Sequence, residues 1–163
     1  MEFVCYPDPR LAAKAEAAPV DARLVAIGER LRAAAAEVKA YGLAAAHIGE
    51  VAPVIVLNTT PEGPEPTYVV CYNPRIEAEA GEAEPGREAS VSLPGVEAEI
   101  ERPAWAEIAW QDAGGDAHQE RMTGFLARCA LHEIEQMNGR FFLRNLSCLK
   151  REALLKKASK RQA

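Results

Sequence analysis

The stretch Leu131-His132-Glu133-Ile134-Glu135-Gln136 stands one residue away from the pattern H-E-x-x-H. In that pattern two histidines at i and i+4 lie on one helix face and hold a metal ion, while the glutamate after the first takes a proton from metal-bound water. Here Gln136 stands in the second histidine's place. Taken alone, the stretch describes a surface His-Glu pair as well as it describes a metal site. Ser90 is a candidate nucleophile, with His132 or His47 as its base, but no Gly-x-Ser-x-Gly elbow surrounds it and no orienting aspartate is evident. Cys129 lies one turn before His132 on the same stripe and is either a metal ligand or a small apolar wall. His118 sits in a polar strand-and-turn segment and reads as surface.

The elements that must position these groups are visible in the patterning. Thr123 offers a cap to a helix running to Asn138-Gly139, a left-handed stop, and this helix carries Cys129, His132, Glu133 and Gln136. Asp21 offers a cap to a second helix reaching about Ala40, with Leu24, Ile27, Leu31 and Val38 at helical spacing. Gly42 and Gly49 bracket a run of small residues ending in His47-Ile48, which lets backbone approach something closely. Val54 to Asn58 and Tyr68 to Asn73 read as strands joined by a Pro/Gly/Glu-rich connection, and Arg75 to Ala80 extends the sheet. Residues 83–95 are small and polar and read as a loop; Val96 to Glu101 and Trp105 to Gln111 alternate as strands, followed by an Asp112-Ala-Gly-Gly turn. Tyr6-Pro-Asp-Pro-Arg10 cannot be helical, because each proline pushes its predecessor toward extended backbone. The whole predicts one α+β domain without repeats.

Composition limits the function classes. With 163 residues the chain suits a single core, and its 26% charged residues describe an ordinary water-facing surface. No apolar run approaches the roughly 18 residues needed to span a bilayer, and the first residues lack a basic stretch followed by an apolar one, so membrane insertion and secretion are disfavoured and a cytoplasmic location is expected. Four separated cysteines without C-x-x-C fit reduced thiols. The net charge of −5 is unevenly divided: residues 149–163 carry +5, leaving −10 on residues 1–148. That divides the domain into a body, 1–148, and a basic C-terminal helix, 149–163, in which Leu149, Ala153 and Leu154 would dock while the lysines face solvent. The helix is either a solubilising end or a contact for nucleic acid such as ribosomal RNA.

Three ordered motifs carry a resemblance to the peptide deformylases that runs from about Phe3 to Lys157. Gly42-Leu-Ala-Ala-Ala-His-Ile-Gly49 is similar to the family's G-x-G-φ-A-A-x-Q motif, with Ala40 at the first glycine and His47 at the glutamine. Glu88-Ala-Ser-Val-Ser-Leu-Pro-Gly95 resembles E-G-C-L-S, with Ala89 for the glycine and Ser90 for the cysteine. His132-Glu-Ile-Glu-Gln-Met-Asn-Gly139 resembles H-E-φ-D-H followed by an apolar residue, Asn and Gly. Tyr6-Pro-Asp-Pro-Arg-Leu11 and Tyr72-Asn73-Pro74 resemble further segments of the family.

The resemblance implies mixed, mostly antiparallel strands around a central HExxH-type helix with a C-terminal helix after it. It implies hydrolytic removal of the formyl group from the N-terminal methionine of nascent chains. In the family a divalent metal, zinc or iron, held by the motif-two Cys and both motif-three His, activates water. The ligand positions fall on Ser90, His132 and Gln136, so one of three is retained. Glu133 stands at the base, His47 and the backbone N–H of Val91 at the oxyanion positions, and Gly42, Leu43 and Cys129 at the substrate groove. Glu88 and Arg102 fit an ion pair bracing the motif-two loop. A serine hydroxyl keeps its proton at neutral pH and is a poor metal partner, so the expectation is a site without metal cofactor. The expected function is a degenerate deformylase-like protein that keeps a groove for the N-terminal peptide of nascent chains and meets the ribosome through its basic helix. The alternative is an active formyl-amide hydrolase with an altered shell of His47, His132 and Gln136.

Overall fold

The computed structural model describes residues 2–162. Helix α1 (Ala22–Val38) starts where the Asp21 carboxylate accepts from the Leu24 N–H, and it stops at Lys39 in a left-handed conformation, two residues short of the expected end. Strands β1 (Gly42–Ala44), β2 (Val54–Asn58) and β3 (Tyr68–Ala80) follow, then β4 (Glu84–Ala89), β5 (Glu97–Arg102), β6 (Trp105–Gln111) and β7 (Ala117–Thr123). The chain closes with helix α2 (Gly124–Met137) and helix α3 (Cys148–Gln162). Five strands form an antiparallel sheet in the order β1-β2-β3-β6-β7, and β4 pairs with β5 in a separate two-stranded sheet.

Three apolar clusters hold these layers. Ala127, Ala130, Leu131 and Ile134 of α2 pack on Ile55, Leu57 and Ile108 of the large sheet. Leu24, Ile27 and Leu31 of α1 cover Val54, Val56 and Tyr72 on β2 and β3. Gly28 is required on α1, because a Cβ there would stand 2.1 Å from the Tyr72 hydroxyl. Burying one such Leu or Ile side chain stabilises the fold by about 1.5–3 kcal/mol, so the two helix faces are the main anchors of the sheet. Asn73, at positive φ, interrupts the β3–β6 register; its amide exchanges hydrogen bonds with the backbone of Ala18 and ties the N-terminal segment to the sheet.

Four expectations from the sequence need correction. The segment 6–10 does not exclude helix throughout: Pro9–Ala12 form a single 3-10 turn, because Asp8 accepts from the Arg10 N–H at its start and a proline is tolerated in a first turn, where its missing N–H is not needed. Residues 83–95 are not all loop: 84–89 form β4, unseen because its inward positions are Gly86 and the carboxylate Glu88 rather than apolar residues. Thr123 occupies the cap position of α2, but its side chain makes no capping bond, and the entry is fixed instead by the Gly124 N–H donating to the Ala104 carbonyl. Leu149 and Ala153 do not dock; Leu149 is 80% exposed and Ala153 is exposed too, and α3 is held by Leu154, Leu155 and Ala158 against Phe141, Phe142 and Leu143. No helix among the described residues is long and apolar enough to cross a membrane.

Candidate functional site

Helix α2 passes beneath β1, so the side chains of its middle turns meet the residues that follow that strand. Gly42 permits the approach: a Cβ there would sit 3.0 Å from Glu133 Cγ and 3.3 Å from the Val56 carbonyl oxygen. After β1 the chain makes one tight turn, Ala45–Ile48, that carries His47 into the interior. The loop leaving β4 brings Ser90 and Val91 to the same place. The result is a cavity of about 450 Å³ onto which His47, Ser90, Val91, Cys129, His132 and Glu133 all open. Leu43 and Gly42 line it as well, and the exposed pair Tyr41 and Phe125, edge to face at 4.8 Å, stands at its mouth.

His47 is fully buried and its ring is oriented by backbone. The Ala44 N–H donates to Nδ1 at 3.0 Å, so the proton of the neutral ring is inferred to sit on Nε2, from which it donates to Ser90 Oγ at 3.5 Å. Burial first, then the neighbouring His132, push the His47 pKa down to about 3. Ser90 Oγ also accepts from the Ser92 N–H at 3.1 Å.

A dense network of charges surrounds Glu88. Its carboxylate accepts from Arg102 Nε and Nη2 at 2.7 and 2.8 Å, from Arg128 Nη1 at 3.0 Å and from His132 Nδ1 at 2.7 Å. Burial works against the charge, but the bonds and charges of Arg102 and His132 overcome it and hold the Glu88 pKa down at about 2. Arg102 extends the network to Glu135 at 2.9 Å. His132, stacked on Phe142, has its pKa raised: burial opposes the proton, yet the Glu88 bond and the charges of Glu133 and Glu88 prevail. Glu133 lies on the other side of the same turn. Its Oε2 is buried without a hydrogen-bond partner, 3.7 Å from His47 Nδ1, and burial raises its pKa to about 7.

Gln136 is brought near but not into the cavity. It is 1% exposed, its Nε2 donates to the Leu11 carbonyl at 2.7 Å, and its Oε1 is buried without a partner. Cys129 lines the cavity as an apolar wall: burial, with Glu133 and Glu88 nearby, pushes its thiol up to about 12, far from the thiolate that binds metals. His118 is a surface residue, bonded to Asp112 at 2.7 Å and stacked on Trp110.

The donor chemistry fits a metal ion poorly. Tetrahedral zinc or iron sites take thiolate, imidazole or carboxylate, whereas Ser90 is a neutral hydroxyl already accepting two hydrogen bonds and Gln136 is bonded to backbone. Among the described residues no group of three His, Cys, Asp or Glu side chains is placed to hold an ion. One role and one residue escaped the sequence reading. Glu88, expected to pair with Arg102 and found to do so, is also the carboxylate that orients His132, a role hidden because the two are 44 residues apart. Arg128 lies on the same face of α2 four residues before His132, and that spacing was the available signal.

Comparison with known proteins places this geometry in a family. A family model for polypeptide deformylase matches residues 1–152. A peptide deformylase-like protein of Agrobacterium fabrum is 44% identical over 119 residues, covering 73% of this chain and 70% of its own. A peptide deformylase of Novosphingobium aromaticivorans is 33% identical over 98% of this chain and 95% of its own. The crystal structure of a peptide deformylase from Ehrlichia chaffeensis in complex with actinonin superimposes with a TM-score of 0.90 at 28% identity, covering 99% of this chain and 96% of that one.

Proposed function

This chain belongs to the polypeptide deformylase family, a family that normally uses a divalent metal, and from that premise we propose that it is a member in which metal-dependent deformylation is lost or strongly reduced while the groove for an N-terminal peptide is kept. The observation that carries this reading is the donor set at the family's ligand positions. His132 keeps an imidazole whose Nδ1 is held by Glu88, but Ser90 is a hydroxyl already accepting two bonds and the Gln136 amide belongs to Leu11. Losing even an outer partner typically costs about 10–100-fold in metal affinity, and two direct donors cost more. Glu133 remains as the base, with its carboxyl in a buried setting suited to proton transfer near neutral pH.

Support for retained binding comes from what lines the cavity. Gly42, Leu43 and Cys129 supply an apolar wall beside the edge strand β1, and Tyr41 and Phe125 extend it outward. An extended peptide end fits such an edge. The altered shell of His47, His132 and Gln136 meets two obstacles: the His47 Nδ1 lone pair is spent on the Ala44 N–H, and Gln136 must give up Leu11. The natural ligand is accordingly the N-terminal peptide of nascent chains, the location cytoplasmic, and the basic helix α3 a contact to the ribosome.

The activity assay is direct. Turnover of a formyl-methionyl peptide under anaerobic loading with iron or nickel is expected to stay at trace, and a rate of about 1 s⁻¹ or more contradicts the proposal.

A further inference from the structure

We propose that a second cavity, where the N-terminal segment meets the start of α3, binds a phosphate monoester carried on an apolar or aromatic body. The cavity measures about 350 Å³ and shares no lining residue with the first, so the peptide-binding reading above is not a premise of it.

Three segments build the cavity. The turn Pro9–Ala12 contributes Leu11, the turn Phe142–Asn145 contributes Leu143 and Arg144, and the first turn of α3 contributes Arg151. Its floor is hydrocarbon: Leu11, Phe141 and Leu143 are buried, and Tyr6 stacks on Phe141 with ring centres 4.8 Å apart. Ligand cavities commonly run from about 300 Å³ upward, so this one has room for a body of roughly one ring.

The charges at its rim do not balance. Asp8 is the one acid among the lining residues, and Arg10 takes both of its oxygens, Nε and Nη2 donating at 2.9 and 2.8 Å. Arg144 is exposed and its side chain has no hydrogen bond or ion pair among the described residues. Arg151 is half-buried, and its side chain donates only to the Cys148 sulfur at 3.4 Å, a weak acceptor. Two planar donor forks without a carboxylate therefore open on an apolar floor. Such forks match the oxygens of a carboxylate or a phosphate. The charge decides between them: a carboxylate neutralises one guanidinium, whereas a phosphate monoester, close to −2 near neutral pH, neutralises both.

The test uses the full-length protein at low salt and four probes: phenyl phosphate, benzoate, inorganic phosphate and benzyl alcohol. Calorimetric titration is expected to give phenyl phosphate a Kd of about 1 mM or lower, and each other probe a value at least about tenfold higher, since each lacks charge or the ring. In ¹⁵N–¹H spectra phenyl phosphate should move the side-chain Nε–H signals of Arg144 and Arg151. The double variant R144Q/R151Q breaks no ion pair, so it should melt with the parent and bind phenyl phosphate at least about tenfold more weakly, the value of one charge-assisted hydrogen bond. If that variant does not fold, the arginine signals of the parent decide. Benzyl alcohol or inorganic phosphate binding as tightly as phenyl phosphate overturns the proposal, as do undiminished binding by the folded variant and unmoved arginine signals. A phosphate monoester also ends a 5′-phosphorylated RNA, and hexauridylate with and without that group separates this source from a free small ester. Displacement of phenyl phosphate by the phosphorylated form alone supports the site with RNA as its source, and displacement by neither supports it with a small ester. Equal displacement by both forms overturns the preference for a monoester.

Discussion

Glu88 accepts from Arg102, Arg128 and His132 at once, and Glu133, one residue from His132 in sequence, has no such partner for its Oε2. The two carboxyls consequently move in opposite directions. Glu88 is held near 2, so its contribution to stability is present above the ordinary glutamate value and is lost as the pH falls from about 4.5 toward 2. Glu133 is raised to about 7, so the neutral acid suits the folded state, and that contribution is fully present below 4.5 and lost as the pH rises through 7. Glu133→Gln keeps the shape and removes the ionisation. It should be nearly neutral at pH 5 and stabilising by about 2 kcal/mol at pH 8, measured by chemical denaturation at the two values. A difference between variant and parent that does not change with pH would refute this view of the buried carboxyl.

Helix α2 is the element on which the site's history is written. Its apolar stripe of Ala127, Leu131 and Ile134 still sets it against the sheet, and Cys129, His132 and Glu133 still face the cavity. The double change Ser90→Cys with Gln136→His therefore restores a thiolate and a second imidazole on an intact frame, and we expect tight binding of one metal ion per chain. If the double variant folds but stays metal-free, the cavity has been remodelled beyond its ligands. The repair is not free of cost, because Gln136 now fastens α2 to Leu11, and losing a buried hydrogen bond costs about 1–3 kcal/mol.

Much of this was legible in the residues. Helical spacing and caps marked α1 and α2, and the His132-Glu133 pair with Gly42 and His47 marked the cavity they share. Strand β4 was not legible, since a strand whose inward faces are Gly86 and Glu88 has no apolar alternation; its place is set by Arg128 packing over Gly86 and bonding Glu88. The Gln136–Leu11 bond spans 125 residues and leaves no local signal at all.

Over the whole molecule the charge is split, with −10 on residues 1–148 and +5 on the rest. Leu154, Leu155 and Ala158 hold α3 to the body, and Lys150, Lys156, Lys157 and Lys160 remain exposed. Replacing these four lysines by glutamine spares the apolar contacts that a truncation would remove. If α3 meets ribosomal RNA, co-sedimentation with ribosomes should weaken as salt rises and be largely lost in the variant, with an unchanged melting temperature. Equal co-sedimentation of variant and parent, or none at low salt, leaves the lysines as solubilising charge only. We propose that this family member has given up its metal. Metal analysis of the protein purified without chelator decides this: well under about 0.1 equivalent of zinc and iron per chain is expected, and about one equivalent of either means that the site still holds its ion.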